Sequence, residues 1–508
     1  MSEPKDSFLK LQNGSDVRGI AIDGVYGEDV NLTPEIVKSI AWAFAVILAE
    51  KSNKTITEIK IGVGHDSRLS GISLKNGVID GLLIAGCQVY DCGLASTPAM
   101  FMGTIFEDIR FDGSIMITAS HLPFNRNGLK FFDKNGGLNS IDIKEILTKA
   151  PSVNFSNKIQ KNEVKQLNLI EYYSRFLREK IKQEVNSKEY EQPLKGLKVV
   201  LDAGNGAGGF FAEQVLLPLG ADISGSQFLE PDGSFPNHIP NPEDKKAMES
   251  IQKATLDNKA DLGIIFDTDV DRAGVVFSNG QEINRNLLIG LTTAITAKEH
   301  PNTTIVTDSV TSDQLTQYIE ESLAMKHHRF KRGYKNVINE AIRLNNEGIE
   351  THVAIETSGH CAFKENYFLD DGAYLSVKVL VEAAKCKTQG KSIETMVEAL
   401  KEPLESKEFR LKIKDENFKA YGTNVLKEFE AYAVEHSDLI LVPNNYEGIR
   451  ISFNDSQASG WLLLRMSLHD PLMPLNIEVN NEGGIQVIID RILPFFEKQM
   501  QLDISSLK

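Results

Sequence analysis

Short apolar runs of strand length alternate with stretches whose apolar positions recur every three or four residues, from the N-terminal third to about residue 400. Glu35 to Glu50 (EIVKSIAWAFAVILAE) reads as a helix, with Thr33 as its N-cap and Pro34 as its first residue. IKIGVGHDSR reads as a strand running into a loop, Ser73 to Ala85 as a helix and QVYDCG as the next strand. SIMITASH, LKVVLDAGNGAGG, TTIVTDSV and THVAIETSGH repeat the strand-to-loop step, and FFAEQVLLPLG after the second reads as a helix. Such alternation indicates βαβ units and mainly parallel sheets.

The pattern changes after about residue 403. A helix from Glu416 to Glu435 precedes LILVPN, GIRISF, GWLLLRMS and LNIEVN, which read as strands of an antiparallel sheet. The expected organisation is therefore three α/β domains with mixed, largely parallel sheets (1–160, 161–287 and 288–402) and a C-terminal α+β domain (403–508). The polar stretch KIKQEVNSKEYEQPLKG, 180–196, reads as an insertion or connector. In open α/β sheets ligands sit beyond the carboxyl ends of strands, and each chemical motif below follows such a strand.

A chain of 508 residues exceeds one ordinary core. Its net charge of −15 argues against a nucleic-acid partner, which needs a basic footprint. It leaves room for small anionic ligands, since a local basic cluster outweighs remote acidic surface beyond a Debye length of ~10 Å. Cys87, Cys92, Cys361 and Cys386 form no CxxC pair or zinc spacing and read as buried thiols in a reducing compartment. With no secretory h-region and no apolar run of membrane-spanning length, the expectation is a soluble cytoplasmic protein without a membrane partner.

The densest chemistry is DTDVDR, where Asp267, Asp269, Asp271 and Arg272 follow the apolar run ending at Phe266. A calcium EF-hand starting at Asp267 needs Gly at its sixth place and Glu at its twelfth; the chain has Arg272 and Ser278. A phosphatase of the haloacid-dehalogenase kind would use Asp267 as nucleophile, but leaves the third Asp and the Arg unexplained. A lone Asp-x-Asp more often caps a helix or solvates a loop. Three alternating carboxylates repel one another and need a cation, and oxygen-only ligands favour Mg²⁺ with a phosphate oxygen. The second stretch is ITASHLPFNRNGLKFF, where a strand end delivers Ser120 into a loop beside His121, with Lys130 beyond Asn127-Gly128. No GxSxG elbow accompanies it, so acyl transfer is poorly supported, and by itself it reads equally well as a Ser/His turn.

Together these loops resemble the α-D-phosphohexomutase superfamily. Its TASHNP, DxDxDR, GExSGH and RxSGTEP motifs correspond, in that order, to TASHLP, DTDVDR, ETSGH (356–360) and RMSLHDP (465–471). NGSDVRG, GHDSRLSG, ASTPA, GNGAGG, PDGSFPNHIPNPE and RFKRGYK extend the match over nearly the whole chain. GNGAGG lacks the residues of a P-loop or dinucleotide motif and reads as a tight strand-to-helix turn.

The resemblance implies four domains around a central cleft and a mutase moving phosphate between C1 and C6 of a hexose, through a phosphoserine and a 1,6-bisphosphate. It implies Ser120 as the phosphoserine and, with Asp267, Asp269 and Asp271, as a Mg²⁺ ligand. Arg272 would neutralise phosphate, and His121 and Lys130 are the proton-transfer candidates; Lys130 would need a depressed pKa to act as base. Arg18 would line the cleft, as would Arg68, unless each serves only a salt bridge; Lys335 matches a lysine near the substrate. Glu356 and Ser358 match sugar-hydroxyl contacts, His360 a position near the phosphates, and Arg465 and Ser467 a phosphate clamp. The implied partner is a sugar phosphate, with glucose 1,6-bisphosphate as activator, and the implied assembly a monomer or homodimer. ETSGH resembles the glucose/mannose group more than the glucosamine group. Leu122, and Leu468, His469 and Asp470, depart from the family pattern. They keep in view phosphoglucosamine mutase and a sugar-phosphate-binding relative without catalysis.

Overall fold

The computed structural model describes residues 4–153, 163–467 and 470–508. The expected boundary near 160 lies outside them. The described chain forms two compact units, one of residues 1–284 with 358–393, the other of 285–357 with 394–508.

The first unit is built on a mixed sheet in which Lys60–His65, Gln88–Leu94 and Gly113–Ile117 run parallel. Asp16–Ile20 and Arg126–Asp133 close one side antiparallel. The helix Pro34–Ser52 starts where the sequence signals it. Thr33 Oγ1 accepts from Ile36 N at 3.4 Å, Pro34 occupies the first turn, and Asn53 ends the helix in the left-handed region. It packs on Gly71–Ala85 so closely that a Cβ on Gly81 would lie 2.1 Å from the Lys38 carbonyl oxygen. Val37, Ile40, Phe44, Val63, Leu82, Ile115 and Phe131 form the core between these helices and the sheet.

A smaller sheet follows in the same unit, ordered Glu282–Ile283, Ala273–Phe277, Leu262–Phe266, Val199–Asp202. Only its last two strands are parallel. FFAEQVLLPLG is not an α-helix but a π-helical turn, Phe211–Leu216, closed by Leu217 N on Ala212 O at 3.0 Å; Pro218, lacking an N–H, follows at once. The first part of the supposed connector 180–196 is helix, because Leu169–Val185 carries its buried face, Tyr173, Leu177 and Ile181, up to Val185. Segment 358–393 returns to this unit through the hairpin Cys361–Phe363/Leu369–Asp370 and the helix Gly372–Thr388. Tyr173 Oη donates to Asp371 Oδ1 at 2.6 Å, and the buried Lys378 ammonium lies between Glu184 and Glu365 at 3.1 and 3.0 Å.

In the second unit Lys326–Arg329, Thr304–Thr307 and Thr351–Ile355 are parallel neighbours. Its C-terminal part is the expected antiparallel sheet with the helices Phe418–Glu435 and Gly484–Phe496. The strand order is Ile440–Leu441, Ile449–Asn454, Ser459–Leu464, Leu472–Val479, Glu405–Ile413, Leu502–Asp503. Phe409, Leu411, Val425, Phe429, Leu462, Ile477 and Ile492 form its core. No helix of the described residues is long and apolar enough to cross a membrane.

Candidate active site

Ser120 stands where Gly113–Ile117 ends and the chain turns back toward Arg126–Asp133. It adopts φ 50°, a left-handed conformation unusual for serine, and its amide donates to Thr118 Oγ1 at 2.9 Å. Arg68 holds the loop from beneath. Its side chain is buried, and its guanidinium donates to the carbonyls of Ser120, Leu122 (2.5 Å), Pro123 (2.8 Å) and Arg126 (3.0 Å). Asp66 balances it at 3.4 Å. Burial pushes the Asp66 carboxyl up to about 6 against the pull of Arg68. Arg18 donates to the Thr118 carbonyl and pairs with Asp16 at 2.8 Å.

The aspartate loop crosses between Leu262–Phe266 and Ala273–Phe277. Val270 sits at φ 68°, a strained state for a β-branched residue, which closes the turn tightly enough to gather three carboxylates. The glycine-rich loop braces it. Ala207 N donates to Thr268 O at 2.8 Å, and a Cβ on Gly206 would lie 2.7 Å from that oxygen. GNGAGG is therefore a close backbone approach.

These loops meet within the first unit. Ser120 Oγ donates to Asp267 Oδ2 at 3.0 Å, and Arg272 Nη2 reaches Ser120 Oγ at 3.2 Å and Asp267 Oδ2 at 3.0 Å. Arg272 also donates to His121 Nδ1 at 2.6 Å. Guanidinium has no acceptor, so Nδ1 is the accepting nitrogen and the ring proton belongs on Nε2. Burial, Arg272 and His360 bring the His121 imidazole down to about 3, and it is neutral at physiological pH. Lys130 Nζ bridges Asp269 Oδ2 at 3.0 Å and Asp271 Oδ2 at 2.5 Å. Thr97 Oγ1 donates to Asp269 Oδ2 at 2.5 Å.

The charge balance points to a cation. Asp267, Asp269 and Asp271 are buried, each with an oxygen within 4.8 Å of the others. Burial, then Asp271 and Asp269, push the Asp267 carboxyl well up. Asp271 is also buried, but Lys130, His360 and Arg272 outweigh that and hold it down. Asp269 Oδ1 and Asp271 Oδ1 accept no hydrogen bond. Buried carboxylate oxygens left in this way are costly, and an all-oxygen set of three carboxylates suits a hard divalent ion. The residues present can hold a metal.

Three further neighbours were not singled out from the sequence. Arg272 Nη1 donates to Asn241 Oδ1 at 3.1 Å and lies 3.7 Å from Glu243, both within PDGSFPNHIPNPE. Asp370 accepts from His360 Nδ1 at 2.5 Å. Burial opposes charge on His360, but Asp370 prevails and raises it to about 9. The signal for Asn241 and Glu243 was a loop rich in Pro and Asn; Asp370 carried none.

Ser358 is buried in the first unit, beside Gly359 at φ 91°. Glu356 belongs to the second unit, where its Oε1 accepts from Gly333 N at 2.6 Å. There Arg465 is buried with an Nε that donates no hydrogen bond. Ser467 Oγ accepts from Asp470 N at 3.2 Å. Leu468 and His469 lie outside the described residues. Asp308, Glu447 and Arg332, also not singled out, cluster with Arg465 electrostatically: burial lowers its basicity, and Glu447 and Arg332 pull in opposite directions.

Three family models match in succession: the phosphoglucomutase/phosphomannomutase α/β/α domains I, II and III, over residues 10–156, 171–280 and 284–403. A phosphoglucomutase/phosphomannomutase of Thermococcus kodakarensis is 30% identical over 501 residues, covering 97% of this chain and 99% of that protein. The chain belongs to the phosphoglucomutase/phosphomannomutase family. A phosphomannomutase/phosphoglucomutase of Pseudomonas putida is similar at 29% identity, over 85% of this chain and 86% of its own. The crystal structure of a family protein from Burkholderia thailandensis superposes with a TM-score of 0.76 at 23% identity, covering 98% and 97% of the two chains. The expected superfamily, its three α/β domains and its C-terminal antiparallel sheet are thus borne out. Membership makes the chain an isomerase of the phosphohexomutase kind.

Proposed function

We propose that the chain interconverts hexose 1-phosphate and hexose 6-phosphate, of glucose and mannose, through a phosphoryl group carried on Ser120. The observation that carries this reading is the meeting of Ser120 Oγ with Asp267 Oδ2 and Arg272 Nη2 at 3.0 and 3.2 Å, beside two carboxylate oxygens that accept no hydrogen bond. Asp267, Asp269 and Asp271, with a phosphoryl oxygen on Ser120, would hold Mg²⁺. Bound there, Mg²⁺ would offset charge on the transferring group and compete with Lys130 for the same carboxylates.

The residues of the chain divide the remaining work. In the first half-reaction a sugar hydroxyl oxygen forms a bond to phosphorus and the Ser120 Oγ–P bond breaks, giving the 1,6-bisphosphate. The other phosphoryl group then returns to Ser120 by the reverse route. Arg272 faces Ser120 Oγ and stabilises charge on the transferring oxygens. His121 offers a donor at Nε2, since its Nδ1 accepts from Arg272. His121 and Lys130 are the two candidates to take the hydroxyl proton and give it to Ser120 Oγ as that oxygen leaves; Lys130 stands as an ammonium between Asp269 and Asp271 and would have to leave that pair to act as base. Arg68 and Arg18 hold the backbone of the serine loop. By the family motifs they match, Glu356 and Ser358 would each contact sugar hydroxyls, His360 would lie near phosphate, and Arg465 and Ser467 would clamp the phosphate that does not react. The buried Arg465 with an unsatisfied Nε supports the last of these.

The test is 1-to-6 phosphate exchange with glucose, mannose and glucosamine 1-phosphates, each with catalytic hexose 1,6-bisphosphate and Mg²⁺. Exchange on glucose and mannose, lost in Ser120→Ala, is expected. Preference for the glucosamine ester would make this a phosphoglucosamine mutase. Full activity of Ser120→Ala would refute the phosphoserine route.

A further inference from the structure

Two histidines and a glutamate gather at the N-terminal ends of two inner parallel strands of the second unit, Thr304–Thr307 and Thr351–Ile355. His300 follows the helix Arg285–Glu299 and is held by its amide, which donates to Thr296 O at 2.8 Å. The Glu350 carbonyl accepts from Thr303 Oγ1 and Thr304 N, both at 2.9 Å, so the backbone on either side of the cluster is fixed. Between Thr304–Thr307 and Thr351–Ile355 the register slips. Thr304 faces Thr351, but Ile305 faces Val353, and His352 is the extra residue of a bulge. A bulge re-aims the side chain it carries. Here the His352 ring stacks on that of His300, with centroids 3.5 Å apart and planes 11° from parallel. Its Nε2 lies 2.7 Å from Glu350 Oε1.

We propose that His300, Glu350 and His352 form a binding site for a borderline transition-metal ion, zinc being the first candidate. One ligand atom from each lies within 4.8 Å of the other two. Two nitrogens bound tetrahedrally at ~2.1 Å stand about 3.4 Å apart, a spacing close to that of the stacked rings, and one ring must turn out of the stack for both lone pairs to meet at the ion. Both rings are partly exposed, one at a helix end and one on a bulge, where such a movement meets little packing. Glu350 supplies negative charge beside the His352 imidazole. An N₂O donor set selects Zn²⁺, Ni²⁺ or Cu²⁺ over Mg²⁺ and Ca²⁺. Three protein ligands leave a position for water, and the ion would tie the end of the helix to the bulged strand.

The full chain, stripped with chelator and held in excess Mg²⁺ to fill the aspartate loop, is titrated with Zn²⁺ against a chromophoric competitor. Wild type should bind one tight equivalent. His300→Ala and His352→Ala should each weaken it at least tenfold, and Glu350→Gln by several-fold. Zn²⁺ should raise the melting temperature of wild type and of neither histidine variant. Co²⁺ should give a visible d–d band in wild type and in neither histidine variant. Should His352→Ala fail to fold, His300→Ala, at a helix end, carries the same comparison. Equal Zn²⁺ affinity in wild type and His300→Ala, or no tight equivalent in wild type, would overturn the site.

Discussion

Replacing Arg68 by methionine keeps most of the side-chain length but removes the donors that reach Ser120, Leu122, Pro123 and Arg126. It also leaves the buried Asp66 without its cation. Breaking one side of a buried ion pair costs about 3–5 kcal/mol, and buried carbonyls left unmet add to this. At about 1.4 kcal/mol per factor of ten, the lower bound is a population change of over 100-fold. The loss falls on one loop, so amide hydrogen exchange over residues 119–127 is the assay. Protection there should drop by about 100-fold or more, while the core strand Lys60–His65 changes little. Phosphate exchange should fall by a similar factor, because a misplacement of about 1 Å at a reacting oxygen costs on that order. Asp66→Asn/Arg68→Met removes the stranded charge; it should recover stability but not loop protection. Protection within threefold of wild type in Arg68→Met would show that other contacts hold the serine loop.

Other outcomes follow from the same geometry. A Cβ on Gly372 would lie 2.5 Å from the Arg272 carbonyl carbon, so Gly372→Ala should displace Arg272 and destabilise the first unit by roughly 1–3 kcal/mol, read by its thermal midpoint. Asp271→Asn should weaken Mn²⁺ binding at least about 100-fold, measured by electron paramagnetic resonance of the free ion. Burial raises the Glu478 carboxyl to about 7 despite Arg450, and Trp461 Nε1 donates to it at 3.0 Å. A carboxyl raised on folding stabilises fully below its unfolded value of 4.5 and progressively less as pH rises through 7. Up to about 3 kcal/mol should be lost over that window, seen as a falling urea midpoint of Trp461 fluorescence. Glu478→Gln should flatten it.

Local chemistry was the most legible part of the sequence. Thr33-Pro34 marked a helix start because capping needs only neighbours in the chain. The serine and aspartate loops could be read since each follows an apolar strand, and the structure brings Ser120, His121, Lys130, Arg272 and the three aspartates into one network. The strand Glu405–Ile413 was missed: ESKEFRLKI shows apolar alternation only at its end, and pairing with Leu472–Val479 supplies the rest. Arg68 looked like a residue lining a cleft because nothing in GHDSRLSG reveals four carbonyls more than 50 positions away. Partners of buried charges are tertiary facts, and for the same reason Asn241, Glu243 and Asp370 escaped a reading made one segment at a time.

A phosphoryl group on Ser120 can be observed without any assumption about the sugar. The purified chain is incubated with hexose 1,6-bisphosphate carrying labelled phosphoryl groups in the presence of Mg²⁺, and its intact mass and labelled peptide are recorded. One phosphoryl group should appear on Ser120, leave on addition of glucose or mannose 6-phosphate, and be absent in Ser120→Ala. A chain that exchanges phosphate while Ser120 stays unlabelled, or whose label lies on Asp267, would contradict the phosphoserine mechanism.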